Sequence, residues 1–217
     1  MAELHQLLAE TCAPFADEVC TEPRLRDPSS TGPCWTERID SGLLDACVTG
    51  NESAWRHLHR LCYPRAAAFL RKLGVGDLDL DDATQEVFVQ MFRYLPSFRR
   101  EAELSTWLYR VCITQARSVR RRRRVTQTLS RLLSLGSATT LVSTPSLPDA
   151  IVRRRVESAL ASLSEGDRTV FVLYEMEGVP GKRIAEIVAS PEASVWRRLH
   201  DARLVFRRAL EQEDQFA

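Results

Sequence analysis

Apolar residues recur at every third or fourth position through two stretches of this chain, roughly 39–124 and 149–212. That period matches the α-helical turn and gathers the apolar side chains on one face of each helix. Ala83, Val87, Met91 and Leu95 form one stripe, widened by Phe88 and Phe92; Val195, Leu199, Ala202 and Phe206 form another. Alternating Val/Ile/Thr runs of the strand type are scarce, while Leu, Ala, Arg and Glu dominate. The expected fold class is therefore all-α, with two small helical domains joined by a flexible linker and a helix-turn-helix in the second.

Glycine, proline and small polar residues divide the chain further. Residues 1–38 read as an N-terminal extension, with a short helix near 2–11 and an irregular tail rich in Pro, Ser and Gly. The first domain, 39–124, opens with a helix to Val48 that Gly50 ends. Asn51 is placed to cap the next helix, to about Leu73, with a break near Cys62 caused by Pro64. After Gly74 and Gly76, Asp79 is the expected cap of a helix to Leu95, with Asp82 at its third position and Pro96 behind it. Ser105 is the expected cap of a basic helix to Arg124.

Residues 125–148 read as the linker: the first part is partly helical in pattern, and GSATTLVSTPSLP suits a tether. The second domain, 149–217, has a helix to Leu163, a second capped by Ser164 and closed by Gly178, a third from Pro180, and a long last helix from Pro191 to about Gln212.

The net charge of +1 conceals a strong local segregation. Residues 77–86 carry five acids and no base, whereas 104–124 carry seven arginines and no acid. Lys72 and Lys182 are the only lysines, so nearly all positive charge is Arg, whose planar fork suits phosphate and guanine edges. No signal-peptide pattern opens the chain and no segment approaches a membrane span, which leads to an expected cytoplasmic location with reduced thiols. Cys12, Cys20 and Cys34 with His5 lack metal-clip spacing, so no metal or other cofactor is expected.

Three constellations carry functional weight. Ile184, Ala185, Ile187 and Val188, a turn at 189–192, and the stripe Val195, Leu199, Ala202 and Phe206 have helix-turn-helix character. The opposite face of the last helix carries Ser194, Trp196, Arg197, Arg198, His200, Asp201 and Arg203, as a helix in a major groove would, although a solvated amphipathic helix reads equally well. On the basic helix, Trp107 and Tyr109 precede Arg117, Arg120 and Arg121; this is the stacking-plus-phosphate chemistry of single-stranded DNA binding, or else a core tryptophan and a solvated helix end. Asp82, Gln85 and Glu86 share a polar face that suits a protein partner better than catalysis or metal binding, since no His or third carboxylate completes a site.

The strings LDDATQEVFVQMFRYLPSFRREAELSTWLYRV and SALASLSEGDRTVFVLYEMEGVPGKRIAEIVASPEASVWRRLHDARLVFRRAL resemble, in that order, the second and fourth conserved regions of bacterial sigma factors of the extracytoplasmic-function (ECF) type. The resemblance implies a non-enzymatic transcription initiation factor that binds core RNA polymerase, reads the −10 and −35 promoter elements and aids melting. It implies polymerase binding by Asp82, Gln85 and Glu86. It implies contacts to the melted −10 strand by Phe98, Arg99, Arg100, Glu103, Trp107, Arg110, Arg117, Arg120 and Arg121, and −35 reading by Ser194, Trp196, Arg197, Arg198, His200 and Arg203. Promoter DNA, duplex and melted, and an anti-sigma factor are the further implied partners, with no membrane insertion. Three positions depart from the family pattern: Ile113-Thr114 replace Arg-Asn, Ala189 replaces a turn Gly, and Trp196 replaces a Lys. A dimeric helix-turn-helix regulator and a nucleic-acid enzyme are the competing classes; binding to core polymerase separates them.

Overall fold

The computed structural model describes residues 39, 41–97, 104–132 and 148–214. Eight α-helices occur among them: α1 Ser41–Val48, α2 Glu52–Lys72, α3 Asp77–Tyr94, α4 Leu104–Leu132, α5 Pro148–Ala161, α6 Glu165–Phe171, α7 Gly181–Val188 and α8 Glu192–Asp214. The expected all-α class is what forms. The expected helix at 2–11, the loop before α4 and most of the expected tether lie outside the described residues.

Helices α1 to α4 make the first module. Asn51 caps α2 as expected, its side chain accepting from the Ala54 amide, and the Trp55 indole donates to the Cys47 carbonyl at 2.9 Å, fastening α1 to α2. Leu58, Phe69, Leu70, Val87, Met91 and Leu108 are fully buried where α2, α3 and α4 meet. Each such side chain contributes about 1.5–3 kcal/mol of transfer free energy. Pro64 does not break α2, which runs through it. The i−4 carbonyl that Pro64 cannot bond belongs to Arg60, an exposed residue, while Leu58 and Cys62 before the proline and Ala66 and Phe69 after it pin both halves to the core.

Three other expected boundaries shift. α3 starts at Asp77, with Gly76 rather than Asp79 as N-cap; Asp79 instead pairs with Arg123 of α4. Ser105 lies inside α4, 1% exposed, instead of capping it. α4 also continues past Arg124, because nothing from Val125 to Leu132 breaks a helix.

The second module packs α5, α6 and α7 against the long α8. Ser164 caps α6, accepting from the Asp167 amide. A π-helical turn, Val172–Met176, follows α6 directly. Phe171 and Phe206 are both buried, with ring centroids 4.7 Å apart. The stripe Val195, Leu199, Ala202 and Phe206 is buried as expected. Ala189 closes α7 at φ 51, ψ 51, the left-handed conformation a β-carbon disfavours. Ala189→Gly is expected to raise stability by about 0.5–1 kcal/mol, net of the greater freedom of glycine when unfolded. A denaturant midpoint no higher than that of the parent chain would contradict this.

Candidate nucleic-acid interface

α3 presents a mixed stripe to solvent. Leu78, Asp82, Gln85, Val89 and Phe92 alternate by four and three residues, which keeps them in one line. All five are exposed, Leu78 by 90% and Phe92 by 62%. Phe92 was expected to widen the core stripe; it lies outside the core and rests on the half-buried Trp55, centroids 4.9 Å apart. Glu86 stands beside the line, half-buried and accepting from Gln90 at 3.4 Å. Gln85 donates to Asp81 at 2.9 Å. The Tyr63 hydroxyl donates to the same Asp81 carboxylate, which pushes the phenol up to about 12.

α4 turns Tyr109, Cys112, Ile113 and Ala116 inward. Trp107 is half-buried and packs on the core. Of the departing pair, Ile113 is core, while exposed Thr114 bonds back to the Arg110 carbonyl at 2.9 Å. Arg110, Arg117 and Arg121 are exposed and Arg120 is half-buried. Phe98, Arg99, Arg100 and Glu103 lie outside the described residues.

On α8, Arg197 and His200 are exposed, and Ser194 and Arg198 are half-buried. Trp196, 43% exposed, has a structural footing. Its ring covers Gly181 so closely that a β-carbon there would stand 2.5 Å from the indole. Tyr174 meets it edge-on at 5.4 Å, and its Nε1 donates to Glu192 at 3.2 Å. Arg203, expected to read the −35 element, is engaged within the second module. Its guanidinium is held by Glu175 at 2.5 Å and lies 5.4 Å from the centroid of Tyr174. A side chain so engaged would have to leave Glu175 before it could meet a base or phosphate.

The two modules touch along a seam between α4 and α7 that periodicity gave no sign of. Lys72 pairs with Glu177 at 2.8 Å, the two side chains only 12% and 9% exposed. The Tyr109 hydroxyl donates to the second Glu177 oxygen at 3.2 Å. Three buried thiols, Cys47, Cys62 and Cys112, lie in the first module. Burial pushes Cys62 up to about 11 and raises Cys112 further, so they remain neutral, inert packing groups near pH 7.

The family described as Sigma-70 region 2 matches residues 58–126, and that described as Sigma-70, region 4 matches residues 153–204. The ECF RNA polymerase sigma-E factor of Haemophilus influenzae is 28% identical over 173 residues, covering 76% of this chain and 91% of the relative. The RNA polymerase sigma factor CnrH of Cupriavidus metallidurans is 29% identical over 178 residues, covering 77% and 92%. Among solved structures, CnrH in complex with the cytosolic domain of CnrY aligns with a TM-score of 0.58 at 24% identity, over 78% of this chain and 96% of that one. The sigma factor RpoE in complex with the anti-sigma factor NepR from Bartonella quintana gives 0.60 at 19% identity, over 72% and 96%.

The chain belongs to the ECF sigma factors.

As a sigma factor it directs promoter-specific transcription initiation, and its relatives are regulatory proteins rather than catalysts. The region 2 match contains the α3 stripe and the basic part of α4; the region 4 match contains α6, the π turn, α7 and the first half of α8. No helix among the described residues is long and apolar enough to cross a membrane. Sequence reasoning singled out Asp82, Gln85 and Glu86 on α3 but did not foresee that Leu78, Val89 and Phe92 would be exposed beside them. The signal was there: each apolar residue sits on the line of Asp82 and Gln85, not on the Val87–Met91 side.

Proposed function

We propose that this sigma factor docks on core RNA polymerase through the α3 stripe, holds the melted −10 strand on α4 and reads the −35 duplex with α8. The carrying observation is the ordered pair of sigma-region matches on two separate helical modules. Docking falls to Asp82, Gln85 and Glu86 with the apolar Leu78 on one side of them and Val89 and Phe92 on the other. Apolar anchors with polar and charged groups beside them are the usual make-up of a protein interface. Strand capture falls to Trp107, Arg110, Arg117, Arg120 and Arg121, together with Phe98, Arg99, Arg100 and Glu103. Ser194, Trp196, Arg197, Arg198 and His200 read the duplex, Trp196 with the exposed edge of its ring; Arg203 shapes the helix instead. The factor has no chemistry of its own and works in the cytoplasm.

An anti-sigma protein is the further partner. The similar structures are of sigma factors bound to CnrY and to NepR, and a comparable partner fits a chain of the same fold.

Mixing the chain with core polymerase and promoter fragments tests the reading, with specific start sites as the expected result. Absence of polymerase binding in a pull-down would sink it. Asp82→Ala with Glu86→Ala is expected to weaken that binding about tenfold, through the loss of roughly 1.4 kcal/mol of interface contacts. The circular dichroism of the variant should be unchanged, because Asp82 is exposed and Glu86 half-buried.

A further inference from the structure

Three of the α4 groups assigned above to the melted strand, Arg110, Arg117 and Arg120, are already occupied, and by the second module. Glu165 accepts from Arg117 at 3.0 Å and lies 3.8 Å from Arg120. Arg110 donates to the Glu186 carbonyl at 2.6 Å. Arg183 donates to the Thr106 hydroxyl at 3.1 Å. A carboxylate between two guanidinium groups, and a carbonyl oxygen on a third, are the contacts that phosphate oxygens of a bound strand would make. The buried group of Lys72, Glu177 and Tyr109 anchors the same seam.

The seam also brings two guanidinium groups together. Arg120 and Arg168 approach from opposite modules over Gly74. Arg168 Nη1 lies 2.2 Å and Arg120 Nη2 lies 2.7 Å from where a β-carbon on Gly74 would stand. The two positive groups are therefore neighbours. Arg168 is 8% exposed, and its Nε and the Arg120 Nη2 are both buried with no hydrogen-bond partner. Burial, then the neighbouring charge of Arg120, lowers Arg168 to about 10. Two desolvated guanidinium groups side by side cost free energy that Glu165 offsets in part, and opening the seam returns them to water.

From this juxtaposition we propose that the second module is a built-in competitor for the melted strand. Glu165 and the Glu186 carbonyl stand in for DNA phosphate on Arg110, Arg117 and Arg120, and the factor must open at this seam before α4 can hold single-stranded DNA. The proposal rests on the assignment of α4 to the melted strand. It requires no second protein: closure is a property of the chain itself, and the Arg120–Arg168 repulsion keeps it reversible.

The test uses the full-length chain carrying Glu165→Gln with Arg183→Ala, both residues outside the proposed DNA-binding set. Its Kd for a short fluorescent single-stranded oligonucleotide is expected to fall about tenfold, because a larger fraction of molecules is open. The radius of gyration from small-angle scattering should rise with it. Adding Arg117→Ala and Arg120→Ala should abolish the gain. Arg168→Met, which relieves the repulsion, should act with the opposite sign, weakening oligonucleotide binding and leaving the chain more compact; general loosening of the fold cannot produce that pattern. An unchanged Kd in the first variant, or a gain that survives loss of Arg117 and Arg120, would overturn the proposal. Transcription by the parent chain with core polymerase is run in parallel. If the parent chain does not initiate, the assigned function fails; if it initiates and the variants bind alike, only the seam proposal fails.

Discussion

Replacing Phe92 by alanine is expected to raise the Kd for core RNA polymerase about thirtyfold, a loss of roughly 2 kcal/mol, while the fold stays intact. The expectation follows from where the ring stands. A phenylalanine 62% exposed at the end of a helix stripe that also carries Val89, Gln85 and Asp82 has little to do for the core. It is held in place all the same, by Trp55 at 4.9 Å, so it meets a partner pre-oriented and with little side-chain entropy left to lose. A rigid aromatic at an interface is the type of residue that carries most of the binding energy. Removing it costs the module about 0.5–1 kcal/mol through the lost ring contact, and the unfolding midpoint should therefore move only slightly.

The charged part of the stripe should behave differently. Asp82→Ala alone is expected to act mainly on the association rate and on its salt dependence, as exposed interface charges do. Phe92→Ala should act on dissociation and be insensitive to salt. Association and dissociation rates measured at two ionic strengths separate the two. Equal salt dependence for both variants, or an unchanged Kd for Phe92→Ala, would remove the apolar part of the docking face.

Much of the helical plan was legible because local chemistry decided it. Asn51 and Ser164 cap helices as their side chains dictate, and the Val195–Phe206 stripe is buried as its spacing requires. Pro64 shows where the local rule gives way: it is an unfavourable helix residue, yet flanking core contacts hold α2 continuous through it. Phe92 shows a second limit. Hydrophobicity marks a residue as apolar but not as buried, and only its position on the Asp82 line tells the two apart. The seam was illegible for a stronger reason. Glu165 meets Arg117 across 48 residues of chain, and Arg110 meets the Glu186 carbonyl across 76; nothing in either local pattern marks these groups as partners. The same holds for Arg203, whose place on the face of α8 gave no hint that Glu175, on a π turn, would reach it.

That Arg203–Glu175 pair supports the second large effect, and its two halves are not equivalent. The Glu175 side chain is 1% exposed and that of Arg203 is 20%. Arg203→Met would leave a buried carboxylate without its counter-charge, with an expected cost of about 3–5 kcal/mol in a urea unfolding curve. Glu175→Gln would leave an arginine able to turn toward water, and the loss should be nearer 2 kcal/mol. Replacing both, Arg203→Met with Glu175→Leu, should recover most of the stability, since an apolar pair of similar volume removes the desolvation penalty along with the bond. The double variant also decides what Arg203 does for promoter binding. The pair joins the π turn to α8 beside Tyr174 and Trp196, so Arg203 is expected to set the pose of α8 without touching DNA. If so, the double variant recovers −35 duplex affinity together with stability. Recovered stability with affinity still reduced tenfold or more, the loss of roughly 1.4 kcal/mol that a direct contact would represent, would instead place Arg203 on the DNA and require its release from Glu175 on binding.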